Sequence, residues 1–397
     1  TRLIQKRHRV LITELLRILG YETDDEIREL FKDVDNNEAH KYIEATLARD
    51  FTRDKEEAIN TVYNKLRPDE TVTLESAEKF IKNLFFNPRK FNLGRIGRYQ
   101  LNRKLGTTYG LDGDDCKLYV NDIILIIKKL ININNGVEEA DDIDHLANRR
   151  IRSVGEVLVD QLRMSVRRLE KNIRDKMSMY GEDTKLAPSM LISTRPLIAA
   201  VNTFFGSNQL SSFMDQYNFL SELENKRKIT ATGPGGLVKE RATFSVREVH
   251  SSQYARFDPV TSPESHSIGV VNQLAVFAKI NEFGFIEAPY RQVLQTVKND
   301  PKLSVNRIAS ETIKDGSKVL VKEGDVITTE IAEKLGKKKD LNEIKVRSYV
   351  TDEIKYFDAK DEEDCRISLA GIDQDEFGNI TADIVPVRYK GKFLIQD

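Results

Sequence analysis

The sequence predicts a multi-domain α+β chain, and three observations predict it. Apolar residues recur with a helical period through residues 1–137. A second helical stripe runs from Val154 to Met177, and from Thr243 onward the texture turns to β-branched and aromatic clusters punctuated by glycine. At 397 residues the chain can hold roughly two or three domains with buried cores.

The elements follow in order. Leu11, Ile12, Leu15, Leu16 and Leu19 mark a first helix, and Thr23 with Glu26 forms a capping box opening a second that carries Ile27, Leu30 and Phe31. Pro68 interrupts the pattern before a helix ending near Phe86. Asn121 is placed to cap an apolar helix over 122–131, which Gly136 stops. Ser153 and Glu156 form another box, followed by a packing stripe of Val154, Leu158, Leu162, Val166, Leu169, Ile173 and Met177, with the arginines mostly off it. Pro196 suits a first helical turn leading to Phe205. Thr243, Phe244, Val246 and Val249 are strand formers, and 268–280 supplies a buried apolar run. Residues 315–346 read as short strands, glycine turns and one small helix.

Composition narrows the function. Cys116 and Cys365 are too few for a disulfide framework and lack zinc spacing, so a reducing compartment is expected. Apolar stretches such as 123–127 are far too short to span a bilayer, and no signal-like segment opens the chain; a soluble cytoplasmic protein with no membrane partner is expected. The net charge of −1 gives no global basic signal, but charge is segregated. Between Phe86 and Lys104 six cations, Arg89, Lys90, Arg95, Arg98, Arg103 and Lys104, meet no acid. Arg149, Arg150, Arg152, Arg163, Arg167 and Arg168 meet only Glu156 and Asp160, whereas 350–377 holds ten acids against three bases. This predicts a shaped nucleic-acid channel with an outward acidic face.

The densest functional signal is 204–241. Ser207, Asn208, Gln209, Ser211, Ser212, Gln216 and Asn218 precede the basic triplet Lys226, Arg227 and Lys228, and Gly233, Gly235 and Gly236 let a backbone approach a ligand closely. Cations neutralise phosphates while hydroxyls, amides and backbone N–H groups hold position without reading bases. The loop GPGGL lacks the GK[ST] of a P-loop. Asp112, Asp114 and Asp115, or Asp141, Asp142 and Asp144 with His145, are hard-cation ligand types, but exposed acidic turns are common and no metal is assigned.

The order of these motifs carries more than their composition. FFGSNQLSSFMDQ, KRKI, GPGGL, ER and VREVH, then YARFDPV, SPE, IGVVNQLAVFA and GFIEAPYR, resemble the β subunit of bacterial RNA polymerase in its protrusion-to-fork region. DDIDHLANRRIRSVGE upstream is similar to the same subunit, LLRILGY, LRPDE, NLFFNPRKFNLGRIGRYQLNRKL and IIKKLININNG to its lobe, and VTDEIKYFDAKDEED and VRYKG to the region after the fork. The resemblance covers nearly the whole chain, and family members are much longer, so the chain is expected to be an internal piece of such a subunit.

What the resemblance implies is a lobe-like helical domain over 1–140, a protrusion-return segment with the long helix over 141–205, a fork region lining the RNA–DNA hybrid over 206–290, and a β-rich external region over 291–397. The last carries a small barrel-sandwich-like insertion at about 295–349, where the family has a short turn. The assembled enzyme is a nucleotidyltransferase working with α, β′, ω and sigma subunits, a DNA template and an RNA transcript. Its catalytic magnesium ions belong to β′, so this chain is expected to hold no catalytic residue and no cofactor, and to be inactive alone. A non-catalytic nucleic-acid-binding or transcription-factor docking module is the alternative.

The same resemblance implies nucleic-acid contacts at Gln209, Lys228, Lys239, Arg241, Arg247, Glu264 and Ser267, the cations having Glu240 and Glu248 as rival intramolecular partners. It also implies a rifamycin pocket matching Gln209, Ser212, Phe213, Asp215, Asn225, Lys228, Thr230, Thr232, Pro263, Glu264 and Ser267. The chain departs from the family at several of these. Ser212 replaces a glutamine, Asn225 a histidine, Lys228 an arginine, Thr230 a serine and Thr232 a leucine, while TSPESHS replaces ETPEGPN and makes the usual asparagine Ser267. Lysine lacks arginine's planar fork and serine lacks glutamine's reach, so each exchange alters a contact.

Overall fold

The computed structural model describes residues 10–68, 70, 73–180, 187–315, 318–337 and 341–396, which form a mixed α+β chain of two compact units, Thr1–Asp141 and Asp142–Asp397. The first unit is helical: α1 (Ile12–Leu19), α2 (Asp24–Phe31), α3 (Tyr42–Leu47), α4 (Lys55–Leu66), α5 (Leu74–Phe86), α6 (Gly94–Leu105) and α7 (Val120–Asn134). The predicted capping box opens α2, with the Glu26 amide donating to Thr23 Oγ1 and the Thr23 amide to Glu26. The stripes of α1, α4 and α5 close one core around Val10, Ile18, Ala58, Val62 and Ile81, and α2, α3 and α7 close another around Leu16, Ile27, Phe31 and Ile124.

Asn121 does not cap α7. Tyr119 occupies the cap position, and the Asp122 carboxylate accepts its amide at 2.9 Å while accepting Arg98 Nη1 at 2.8 Å. Arg98 and Asp122 are both fully buried, and the Arg98 guanidinium lies against the stacked rings of Tyr109 and Tyr119. One cation of the acid-free stretch is thus an internal strut, since a charge is tolerated in a core only when paired.

The second unit opens with α8 (Val154–Met179), α9 (Pro188–Leu191) and α10 (Arg195–Ser207), which has Pro196 in its first turn. Ser153 sits at the α8 cap, but its hydroxyl accepts no cap bond, and the Glu156 carboxylate, which would complete a box by accepting the Ser153 amide, is instead engaged by Arg150 at 2.6 Å and Arg152 at 3.1 Å. The α8 stripe is only partly covered: Leu158, Leu162, Leu169 and Ile173 are half-buried, whereas Val154, Val166 and Met177 are exposed.

Next come α11 (Phe219–Lys226), β1 (Lys228–Thr230) and α12 (Phe244–Arg247), then β2 (Val271–Gln273), β3 (Lys279–Ile280) and β4 (Ile286–Lys298). The strand expected at 243–249 is therefore a single helical turn, with Phe244 and Val249 exposed; β propensity loses where no neighbouring strand offers a ladder. The apolar run 268–280 likewise buries Val270, Leu274 and Ala278 but exposes Ile268, Val276, Phe277 and Ile280.

The chain ends with α13 (Pro301–Ser304), β5 (Ile313–Asp315), β6 (Lys318–Val321), α14 (Thr329–Gly336), β7 (Glu343–Phe357), α15 (Ala359–Glu363), β8 (Ile367–Ser368), β9 (Val385–Tyr389) and β10 (Lys392–Gln396). β4 and β7 form a long irregular antiparallel ladder from Ala288↔Phe357 to Lys298↔Glu343, so the segment expected as an insertion starts and stops inside paired strands. Beyond them Val297, Ala309, Val321, Ile327, Ala332, Leu335, Ile344 and Val346 make a separate core. The sheets hold two or three strands each and close no barrel among the described residues.

The acidic stretch 350–377 is not wholly outward. Asp358 is buried and caps α15, accepting the Lys360 and Asp361 amides at 2.9 Å, and Glu362 is buried against Arg256, with Nη1 to Oε2 at 2.5 Å.

Candidate nucleic-acid interface

The site is built by hydrogen bonds that return distant segments to one another within the second unit. α11 is capped by Asn218, whose side chain accepts the Ser221 amide at 2.8 Å, and it delivers the basic triplet to β1. β1 pairs antiparallel with β2 in the register Lys228↔Gln273, Ile229↔Asn272 and Thr230↔Val271. The ladder continues past the strand as the Ala231 amide donates to Val270 O at 2.8 Å.

The triplet is divided by this pairing. Arg227 turns inward, donating through Nη2 to Ala275 O at 2.5 Å, and Lys226 pairs with Glu222 at 2.7 Å. Lys228 is exposed and has no ion-pair partner among the described residues. Thr230 and Thr232 are half-buried and satisfy each other, with hydroxyl oxygens 2.8 Å apart.

The glycine loop then folds back on the strand. The Leu237 amide donates to Ala231 O at 3.0 Å and the Gly236 amide to Gly233 O at 2.9 Å. Gly233 has φ +126°, a backbone conformation that favours glycine, and it packs against the Leu210 side chain, which a Cβ at 2.9 Å from Cδ1 would displace. That turn is held by Asn208, whose side chain accepts the Leu210 amide at 2.9 Å. Gln209, Ser212, Phe213 and Asp215 follow the turn as exposed side chains, and Asn225 is half-buried on α11. Arg152 Nη1 donates to Pro234 O at 3.5 Å, a contact that a reading of local charge does not reveal.

On the far side lies the turn 263–267, with Pro263 and Ser267 half-buried and Glu264 exposed. Ser265 has φ +68° where the family motif has glycine, and the Ile268 amide donates to its carbonyl at 3.2 Å. Ser265→Gly is expected to raise the stability of the full chain by about 0.5–1 kcal/mol, relief of a left-handed serine less the freedom glycine adds to the unfolded chain. Chemical denaturation measures this, and a lowered midpoint would mean the serine side chain contributes more than its backbone costs.

Arg247 is tied to neighbouring backbone. It makes no ion pair with Glu240 or Glu248 among the described residues; its guanidinium donates to the carbonyls of His266, Ile268 and Lys239. Lys239 is half-buried and Arg241 exposed on the intervening turn, neither with an ion-pair partner among the described residues.

Behind this surface His250 and His145 meet edge to face with centroids 5.2 Å apart. Each ring accepts a backbone amide at Nδ1, from Ser252 and Ala147, and reaches a carboxylate with Nε2, Asp142 and Glu363 respectively, both at 2.9 Å. Burial pushes the His145 imidazole below its ordinary range. The motifs DDIDHL and VREVH are therefore joined here. Asp142 is engaged by His250 and the Asp144 amide, and Asp115 by the Tyr119 hydroxyl; among the described residues no three His, Cys, Asp or Glu side chains are grouped as a ligand set.

Three family descriptions match the chain: RNA polymerase Rpb2, domain 2, over residues 1–152; RNA polymerase Rpb2, domain 3, over 212–280, which spans most of the interface; and RNA polymerase beta subunit external 1 domain, over 343–397. The chain belongs to the RNA polymerase β-subunit family. A DNA-directed RNA polymerase subunit beta of Dehalococcoides mccartyi is 38% identical over 394 residues, covering 99% of this chain and 31% of that protein. The corresponding subunit of Syntrophomonas wolfei is 45% identical over 290 residues, 73% of this chain and 25% of its own length. That of Solibacter usitatus is 39% identical over 355 residues, 89% of this chain and 24% of its own. The chain thus spans less than a third of the length of these β-subunit relatives.

Proposed function

We propose that this chain is part of the β subunit of a multisubunit DNA-directed RNA polymerase, and that the surface carrying Lys228, Lys239 and Arg241 lines the channel for the RNA–DNA hybrid. The observation that supports this is the bonding that gathers β1, the glycine loop and the turns at 239–241 and 263–267 around cations without counter-charges among the described residues. Rigid backbone places the charges and phosphates supply the missing partners.

In the assembled cytoplasmic enzyme, α, β′, ω and sigma subunits complete the machine, and magnesium ions held by β′ would supply the charge stabilisation for phosphoryl transfer. The residues of this chain hold the duplex in register and are expected to supply no acid, base or metal ligand. Gln209, Ser212, Phe213, Asp215, Asn225, Thr230, Thr232, Pro263, Glu264 and Ser267 form the region corresponding to the rifamycin pocket. The module at about 295–349 is a barrel-sandwich-like insertion in the external region.

The test uses a polymerase assembled with the full-length subunit, halted on a template, with transcript release timed across a salt series. Lys228→Ala is expected to hasten release and flatten the log–log salt dependence by about one unit, the loss of about one phosphate contact. An unchanged slope would show that Lys228 meets no phosphate and would remove the hybrid-channel reading.

A further inference from the structure

Arg247 is one of the cations that the sequence points toward nucleic acid, but three of its five N–H donors are already committed to backbone carbonyls. Nη1 donates to His266 O at 2.9 Å and to Ile268 O at 2.8 Å, and Nη2 to Lys239 O at 3.1 Å. The acceptors lie eight residues before Arg247 and nineteen and twenty-one after it, so one planar group joins two turns remote in the chain. A second observation shows how closely the partners fit. Gly269 has φ +70°, and a Cβ there would lie 2.5 Å from both the Cα and the carbonyl oxygen of Arg247. The turn at 263–268 is therefore seated on the α12 backbone and fastened by the Arg247 side chain, and the Ala231 amide holds the chain just beyond it through Val270 O at 2.8 Å.

We propose that Arg247 is a positioning residue for the hybrid channel: it locks the 263–268 turn to the turn Lys239–Arg241, and the groups so positioned, Lys239 and Arg241 among them, meet the nucleic acid in its place. The inference rests on the channel reading above. Its consequence is that charge alone cannot replace Arg247. Lysine keeps the positive charge but presents donors from a single point, and it cannot span three carbonyls on two turns. A phosphate contact would behave in the opposite way, since lysine serves a phosphate well as a point charge.

The experiment uses the halted polymerase with Arg247→Lys and Arg247→Gln, and measures transcript release against salt together with amide exchange. Both variants are expected to release transcript about tenfold faster, the loss of hydrogen bonds to one charged group, with the salt slope unchanged. Exchange is expected to quicken at 239–242 and 265–270 while the β4–β7 ladder keeps its protection. Gly269→Ala pushes the turn away from Arg247 without altering any charge, and is expected to reproduce these effects should an Arg247 variant fail to assemble. Wild-type behaviour of Arg247→Lys beside a flattened slope in Arg247→Gln would overturn the proposal in favour of direct phosphate contact. Wild-type release by all variants would overturn it too, as would loss of protection throughout the β4–β7 ladder, which marks a structural role only. Lys228→Ala separates the two readings: its slope judges the channel, whatever Arg247 does.

Discussion

Glu362→Ala is expected to cost the second unit about 3–5 kcal/mol of stability, because it strips the counter-charge from a buried guanidinium. Arg256 is 0% exposed and Glu362 5%, and Nη1 lies 2.5 Å from Oε2. Arg388 donates to the other carboxylate oxygen, and the Tyr290 hydroxyl donates at 2.8 Å. Burial and the adjacent carboxylate push that hydroxyl well above its ordinary pKa, so it remains a donor. Arg256 also donates to Ile286 O and Phe357 O, both at 3.0 Å, which ties the start of β4 and the end of β7 to the segment around Arg256. Removing the carboxylate leaves two arginines facing each other without compensation, whereas Glu362→Gln preserves shape and part of the bonding and is expected to cost less. Guanidinium denaturation of the full chain measures both; a loss below about 1 kcal/mol for Glu362→Ala would mean that water enters and solvates Arg256.

A polymerase built with this chain is expected to withstand rifamycins at concentrations about a hundredfold above those that inhibit an enzyme with the family-typical residues, equivalent to losing roughly two hydrogen bonds. Ser212, Asn225, Lys228 and Ser267 each change the donor set, and Thr230 and Thr232 are turned to one another at 2.8 Å rather than outward. Transcription is expected to persist, since on the channel reading Lys228 retains the charge a phosphate needs. Inhibition of the assembled enzyme by ordinary drug concentrations would sink this expectation. Restoring Ser212→Gln, Asn225→His and Lys228→Arg together is expected to return most of the sensitivity.

The legible parts of the fold were those whose causes are local. The Thr23–Glu26 box, the break at Pro68 and the first-turn Pro196 each bias a few neighbouring dihedral angles, and each element stands where they predict. The failures share a different cause. Ser153 and Glu156 have the right spacing, but Arg150 and Arg152 compete for the carboxylate. Residues 243–249 have strand composition, but among the described residues no partner strand reaches them. At the site, the segments bearing Gln209, Lys228, Lys239 and Pro263 were identifiable from motif order, whereas the partners that assemble them, Leu210 on Gly233 and Arg247 on Gly269, carry no mark in composition.

By itself the amino-acid order determined the membership of the β-subunit family, the succession of helical and β-rich regions, and the positions of the cations. Tertiary structure alone decided which charges face water and which are struts: Arg98, Arg256 and Glu362 are buried, Arg247 is committed to carbonyls, and Lys228 is left open. The reason is that helix and turn signals act over a few bonds, while the cost of burying a charge depends on what lies around it. Here those neighbours come from 24 residues away at Arg98 and 101 at Arg256, distances at which a local pattern has no influence.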